Sequence, residues 1–174
     1  MGSWRVLTPQ QVAAVARRFA TLPYSWSADE KNQVAAELGW PVLAGSAESG
    51  AVMQTGFAPS NGFADLRVSG GAASAIVVRV ADPALGEDGE ARDFRRDVFA
   101  STVRVVTEAV GAPVDRRPGS RPEVRWAARS GLIRVSADEA FVEIALLSPE
   151  YAQWLDSEDT RADDDADDGD DEEW

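Results

Sequence analysis

The residues with the most chemistry per position are the last ones. "DDDADDGDDEEW" closes the chain, and from Asp156 to Trp174 there are nine Asp, three Glu and one Arg, a net charge of -11. Carboxylates at that density first suggest a calcium loop, but the spacing fails. With Gly169 at the sixth position of an EF-hand loop, Asp164 is the first, yet Ala166 takes the third ligand position and the twelfth falls past Trp174. Long-range electrostatics is the other chemistry on offer. Such a block repels itself and buries almost nothing apolar, so it is expected to be disordered when free. It either only keeps the chain soluble, or steers a cationic surface to it and fills a basic groove as a nucleic-acid mimic. Trp174 beyond the acids supplies an aromatic anchor. The candidate partner-binding residues are Asp163, Asp164, Asp165, Asp167, Asp168, Asp170, Asp171, Glu172, Glu173 and Trp174. Trp154 and Trp26, the tryptophans expected to be partly exposed, join them.

The rest of the chain argues against several chemistries. It has no Cys and no His, which removes disulfides, thiol catalysis, thiolate metal sites, the Ser-His-Asp triad and the commonest transition-metal ligand. Lys31 is the single lysine against 16 arginines, which hardly ever deprotonate. The carboxylate pairs Asp29/Glu30, Glu87/Asp88 and Asp138/Glu139 fall in expected loops and helix starts, where capping and turn roles account for them. Gly70-Gly71 precedes a strand, not the helix a phosphate loop needs. No catalytic residue, metal ligand or cofactor site is assigned, and the chain is expected not to be an enzyme. One basic stretch, "DRRPGSRPEVR", holds Arg116, Arg117, Arg121 and Arg125, with Arg129 and Arg134 nearby. It admits three readings: a phosphate or nucleic-acid site, a solvated hairpin flank, or the receptor of the acidic tail in cis.

The elements that must carry these groups are legible by period. The chain has 174 residues and a formal net charge of -13, but Met1 to Leu155 accounts for only -2, so the body is nearly neutral. "TPQQVAAVARRFATL" reads as a helix with Thr8 as N-cap, Pro9 at the first position and Gln11 completing a capping box. "SADEKNQVAAELGW" reads as a second, capped by Ser27 with Glu30 and ended by Gly39. Three strands follow between Pro41 and Asp82, in "AVMQTGFA", "GFADLRVSG" and "ASAIVVRVAD"; in the second, Phe63, Leu66 and Val68 suggest an irregularity near its start. "DFRRDVFASTVRVVTEAV" is the strongest helix, stopped by Gly111 and Pro113. "EVRWAA", "LIRVSA" and "AFVEIALLS" alternate as three more strands, with Trp126 inward, and "SPEYAQWLD" starts a short last helix. The expected fold is α+β, with one antiparallel sheet of about five to six strands and packed helices in the order α-α-β-β-β-α-β-β-β-α. Residues 1–156 form the domain and 157–174 a disordered acidic tail. No apolar run reaches the roughly 18 residues that span a membrane, and no secretory signal opens the chain, so a cytoplasmic location is expected.

Three segments carry a resemblance: "WRVLTPQQVAAVARRF", the helix end "AAELGW", and "PEVRWAARSGLIRVSADEAFVEIALLSPEYAQWLD". Together they resemble a family of small uncharacterised actinobacterial proteins, and the Arg-rich, Lys-poor composition agrees with a high-GC source. Such proteins are often encoded beside secreted polymorphic toxins. The resemblance thus implies an immunity protein that neutralises a cognate toxin, a basic nuclease or another nucleotide-directed effector, by occluding its active site. The element order is also similar to that of secretion chaperones, which implies the alternative of a chaperone holding an effector before export. Either way the implied partner is a protein, with no direct contact to nucleic acid or membrane and no cofactor. Neither resemblance brings a catalytic motif, and the acidic tail belongs to neither pattern.

Overall fold

A computed structural model describes residues 3–46, 48–86 and 88–167, with 160–167 described as backbone only. Helix α1 (Pro9–Thr21) carries the expected capping box: the Gln11 N–H donates to Thr8 Oγ1 and the Thr8 N–H to Gln11 Oε1. Helix α2 (Lys31–Leu38) is entered through a 3-10 turn, Ala28–Glu30, capped by Ser27, and ends on Gly39 in the left-handed region at φ 69°. The capping box expected there does not close, because the Glu30 carboxylate accepts from Ser25 Oγ instead.

The strands are β1 (Val42–Ser46), β2 (Gly50–Gln54), β3 (Phe63–Ser69) and β4 (Ala72–Arg79), then β5 (Asp115–Arg117), β6 (Glu123–Ala128), β7 (Gly131–Ala137) and β8 (Val142–Leu147). They form one antiparallel sheet in the order β1-β2-β3-β4-β8-β7-β6-β5. Two meanders meet at β4 and β8, and helix α3 (Gly89–Val110) crosses from one to the far edge of the other. Ser69 pairs Ala72 across a two-residue turn of Gly70 and Gly71, both at positive φ, the conformation that suits the twist of a tight hairpin.

The eight strands correct the expected five to six, and the observed order is α-α-β-β-β-β-α-β-β-β-β-α. The two strands not foreseen, β1 and β5, are the two edges of the sheet. Four of the five β1 residues are exposed, and β5 is the triplet Asp-Arg-Arg, so neither shows the in-out alternation that marks a strand. In β3 the inward residues are Ala64 and Leu66, Phe63 is 41% exposed, and the register slips near the end of the strand, between Arg67 and Val68, not near its start.

The sheet has one dry face. Ile76, Val78, Trp126, Ile133, Val135, Ile144 and Leu146 pack there against α1, α2 and α3 through Phe19, Val15, Leu38 and Val106. The opposite face has a small apolar patch, Ala75, Val77, Ala145 and Leu147, covered by Ala152, Tyr151 and Leu155 of helix α4 (Pro149–Asp167). Ser148 starts α4 by accepting from the Tyr151 N–H. The helix is longer than expected. It runs on to Asp167 where a disordered tail was expected from 157, and its first acidic residues past Leu155 find arginines on the sheet. Among the described residues no helix is long and apolar enough to cross a membrane.

Candidate functional site

Strand pairing sets charged residues side by side on the face that α4 partly covers. One row runs Asp115, Arg125, Arg134 across β5, β6 and β7. The next runs Arg117, Glu123, Ser136, Glu143, Arg79 across β5, β6, β7, β8 and β4. Each is the alternate position to a core residue: Val124 and Trp126 point to the helices, so Glu123 and Arg125 point away from them.

The arginines are held by carboxylates from two sources. From the sheet, Asp115 Oδ2 accepts from Arg117 Nε at 2.8 Å, and Glu123 Oε1 lies 2.7 Å from Arg125 Nε. That second contact is not aligned as a hydrogen bond, so it is an ion pair by proximity. Glu123 also lies 3.7 Å from Arg134 Nη1 and so separates two arginines that face each other across the ladder. From α4, Asp156 Oδ1 accepts from Arg117 Nη2 and Arg125 Nη1, both at 2.7 Å, and Asp159 Oδ2 accepts from Arg117 Nη1 at 3.0 Å. The Arg125 side chain is only 3% exposed, and a buried guanidinium needs such partners. Burial pushes the Asp156 carboxyl up, but the hydrogen bonds and charge of Arg125 and Arg117 outweigh it and hold it below the usual carboxylate range. Burial likewise works against the Arg117 charge, and the bonds to Asp156 and Asp115 reverse the direction. Further along, Glu143 is pushed up by burial, partly offset by Arg67, Arg79 and Arg134, and the Arg79 guanidinium sits 4.1 Å from the centre of the Phe141 ring.

Between the β5–β7 end of the sheet and α4 lies an open groove of about 830 Å³, lined by Arg117, Arg121, Arg125, Arg134, Asp156 and Asp159 among others. Its positive and negative groups nearly balance, and among the described residues no His, Cys, Asp or Glu cluster is arranged to hold a metal. Of the three readings of the basic stretch, reception of the acidic segment in cis describes Arg117 and Arg125, while Arg121 is a solvated flank, 75% exposed.

The expected partner-binding residues are divided. Trp154 is 53% exposed on α4 and stacks on Tyr151, with ring centres 5.6 Å apart at 13°. Trp26 is half-buried, sits at φ 64°, donates from Nε1 to the Ser130 carbonyl and lies 4.8 Å from the Tyr24 ring. It clasps the loop between α1 and α2 to the β6–β7 turn, packs against the core of the helix face, and is not brought together with Trp154. Asp163, Asp164, Asp165 and Asp167 are on the helical backbone of α4, and their side chains lie outside the described residues. Asp168, Asp170, Asp171, Glu172, Glu173 and Trp174 lie outside the described residues altogether. Asp156, Asp159, Glu123 and Arg134 were not singled out as a unit. The signal that could have found them is the spacing Glu123-x-Arg125 and Arg134-x-Ser136 on two strands whose other face is apolar.

No curated protein and no solved structure matches the chain. Residues 10–148 match a family of unknown function, and that stretch ends one residue before α4, so the arginines of the groove lie inside it and the α4 carboxylates beyond it. By that match over most of its length, the chain belongs to the family DUF6301.

Proposed function

We propose that the chain is a cytoplasmic binding protein of the immunity type, which neutralises a cognate toxin by covering its active site and performs no turnover itself. The observation that carries this reading is the exposed, acid-flanked aromatic on α4. Trp154 is braced by Tyr151, so little rotamer freedom is left to lose on binding. Helical spacing places Glu150 and Glu158 one turn to either side of it. A rigid tryptophan among carboxylates suits a cationic protein surface, with the charges speeding encounter and the ring supplying the anchor. The acidic run from Asp156 extends the same field, and a basic nuclease domain is the toxin class it fits best.

The secretion-chaperone reading keeps one observation in its favour. The edge strand β1 is exposed at four of five positions and could pair an extended segment by strand addition. The two readings separate by what happens to the partner. The full chain, mixed with the folded domain of the proposed cognate toxin, is expected to abolish that domain's activity at one-to-one stoichiometry. A domain that stays fully active in its presence, while an unfolded segment of the same protein is bound, would replace the immunity reading with the chaperone one.

A further inference from the structure

The groove beside α4 is an anion site whose anions come from the chain itself. Asp156 Oδ1 bridges two guanidiniums, and Asp159 Oδ2 sits on the other terminal nitrogen of Arg117, which Glu123 Oε1 approaches to 3.6 Å. Two anionic groups one helical turn apart, joined by one arginine fork, is the arrangement that a pair of linked phosphates would occupy. We propose that Arg117 and Arg125, with Arg134 and Arg121 along the same groove, form a binding site for a small ligand bearing two adjacent phosphates, in which Asp156 and Asp159 are the built-in occupants.

Three features make the site separable from its occupants. First, the guanidiniums are oriented from the sheet side. Asp115 holds Arg117 through Nε, and Glu123 lies against Arg125 Nε, so both guanidiniums keep a sheet-side carboxylate when the α4 carboxylates leave. Second, the outer occupant is weakly held. The Asp159 side chain is 70% exposed, and exposed ion pairs contribute little. Asp156, 46% exposed, is the firmer of the two because it also reaches the buried Arg125. Past Leu155 these pairs tie α4 to the sheet, whereas Tyr151, Ala152 and Leu155 fix its first two turns by apolar contact. Third, the groove is large enough: about 830 Å³ falls within the usual range for a small-molecule site, and Ser120 and Ser136 add hydroxyls to its lining. The carboxylates that remain, Glu123 and Asp138 in the lining with Asp115 and Glu139 paired to Arg117 and Arg121, leave the vacated groove without a broad positive field. Recognition therefore rests on the arginine forks and not on a broad field, which favours a compact diphosphate. This site is independent of the protein-binding role of Trp154.

Inorganic pyrophosphate is the probe, titrated calorimetrically at low salt into the full chain. Asp156→Asn/Asp159→Asn keeps acceptor oxygens near the arginines while removing both charges. It is expected to bind pyrophosphate at least ten-fold more tightly than the unaltered chain, and more tightly than it binds inorganic phosphate. Adding Arg117→Gln is expected to abolish the gain. Equal affinity of the double variant and the unaltered chain, or a gain that survives Arg117→Gln, overturns the proposal. Should circular dichroism show that the double variant does not fold, Asp159→Asn alone, which leaves Arg125 its partner, is expected to bind at least three-fold more tightly. No gain there overturns it equally.

Discussion

The two faces of the sheet are built from alternate residues of the same strands, yet they work in opposite ways. Towards α1–α3 lie Ile76, Trp126, Ile133, Ile144 and Leu146, all buried among apolar neighbours. One residue along, towards α4, lie Arg79, Arg125, Arg134 and Glu143, held by specific charged partners. Apolar burial is non-directional and fixes which elements pack together. Ion pairs are directional, are screened by salt, and can be exchanged for other partners of the same charge. The first face accounts for the fold, and the second is where a ligand or partner can compete.

The largest effect should come from the first face. Trp126→Ala removes the largest fully buried side chain and is expected to cost about 3–5 kcal/mol, read from urea unfolding. A loss below about 1 kcal/mol would break the contrast, because the helix face would not then be the main core. Next is Arg125→Met, which keeps most of the volume but strips Glu123 and Asp156 of a common partner. We expect a loss of about 1–3 kcal/mol, toward the lower end because Asp156 is half exposed. A gain in stability would mean that the buried guanidinium is a net burden on the second face.

Acid sharpens the comparison, because only the second face holds Asp156. A carboxyl held below its ordinary range contributes stability that is present above the unfolded value, about 3.9 for Asp, and is lost as pH falls through the folded value. Asp82, held to about 2 by the side-chain hydrogen bond from Arg5, extends the same loss to lower pH. Glu143 has the opposite sign: burial raises it, so its contribution is present below about 4.3 and is lost as pH rises through its folded value. Asp156→Asn should therefore be less stable than the unaltered chain at pH 7, with the gap closing below about pH 3.9 in urea titrations. A gap that does not narrow as the pH falls would show that Asp156 acts there by something other than its charge. The smallest stability effect is expected for Trp154→Ala, within about 0.5 kcal/mol, since its side chain is more exposed than buried.

The same contrast explains how much was legible in the sequence. The period of "ASAIVVRV", the Thr8–Gln11 capping box and the alternation of Val124 with Trp126 are local signals of the apolar face, and the elements they announce are present. Strands β1 and β5 carried no such signal, because an edge strand with exposed or charged residues buries nothing at every second position. Arg95 in α3 stands in a buried position, donating to the Ala84 and Gly86 carbonyls, and no helical pattern of apolar residues marks such an arginine. The groove was half visible. The arginines of "DRRPGSRPEVR" and the acids of the tail were both evident as charge. Their meeting depends on the β5–β6–β7 register and on α4 crossing that end of the sheet, which are long-range facts. The acidic segment repels itself, and Arg117 relieves part of that repulsion by pairing Asp156 and Asp159.

The central claim is that recognition belongs to the α4 side and is separable from the core. Its most direct test is a calorimetric titration of a toxin domain of the proposed class, a basic nuclease, with the unaltered protein and with Trp154→Ala. The account predicts a one-to-one complex that Trp154→Ala weakens by about 30-fold or more, the loss of a hot-spot residue at about 2 kcal/mol, while the urea midpoint stays unchanged. An unchanged dissociation constant for Trp154→Ala would contradict it and move the binding surface off α4.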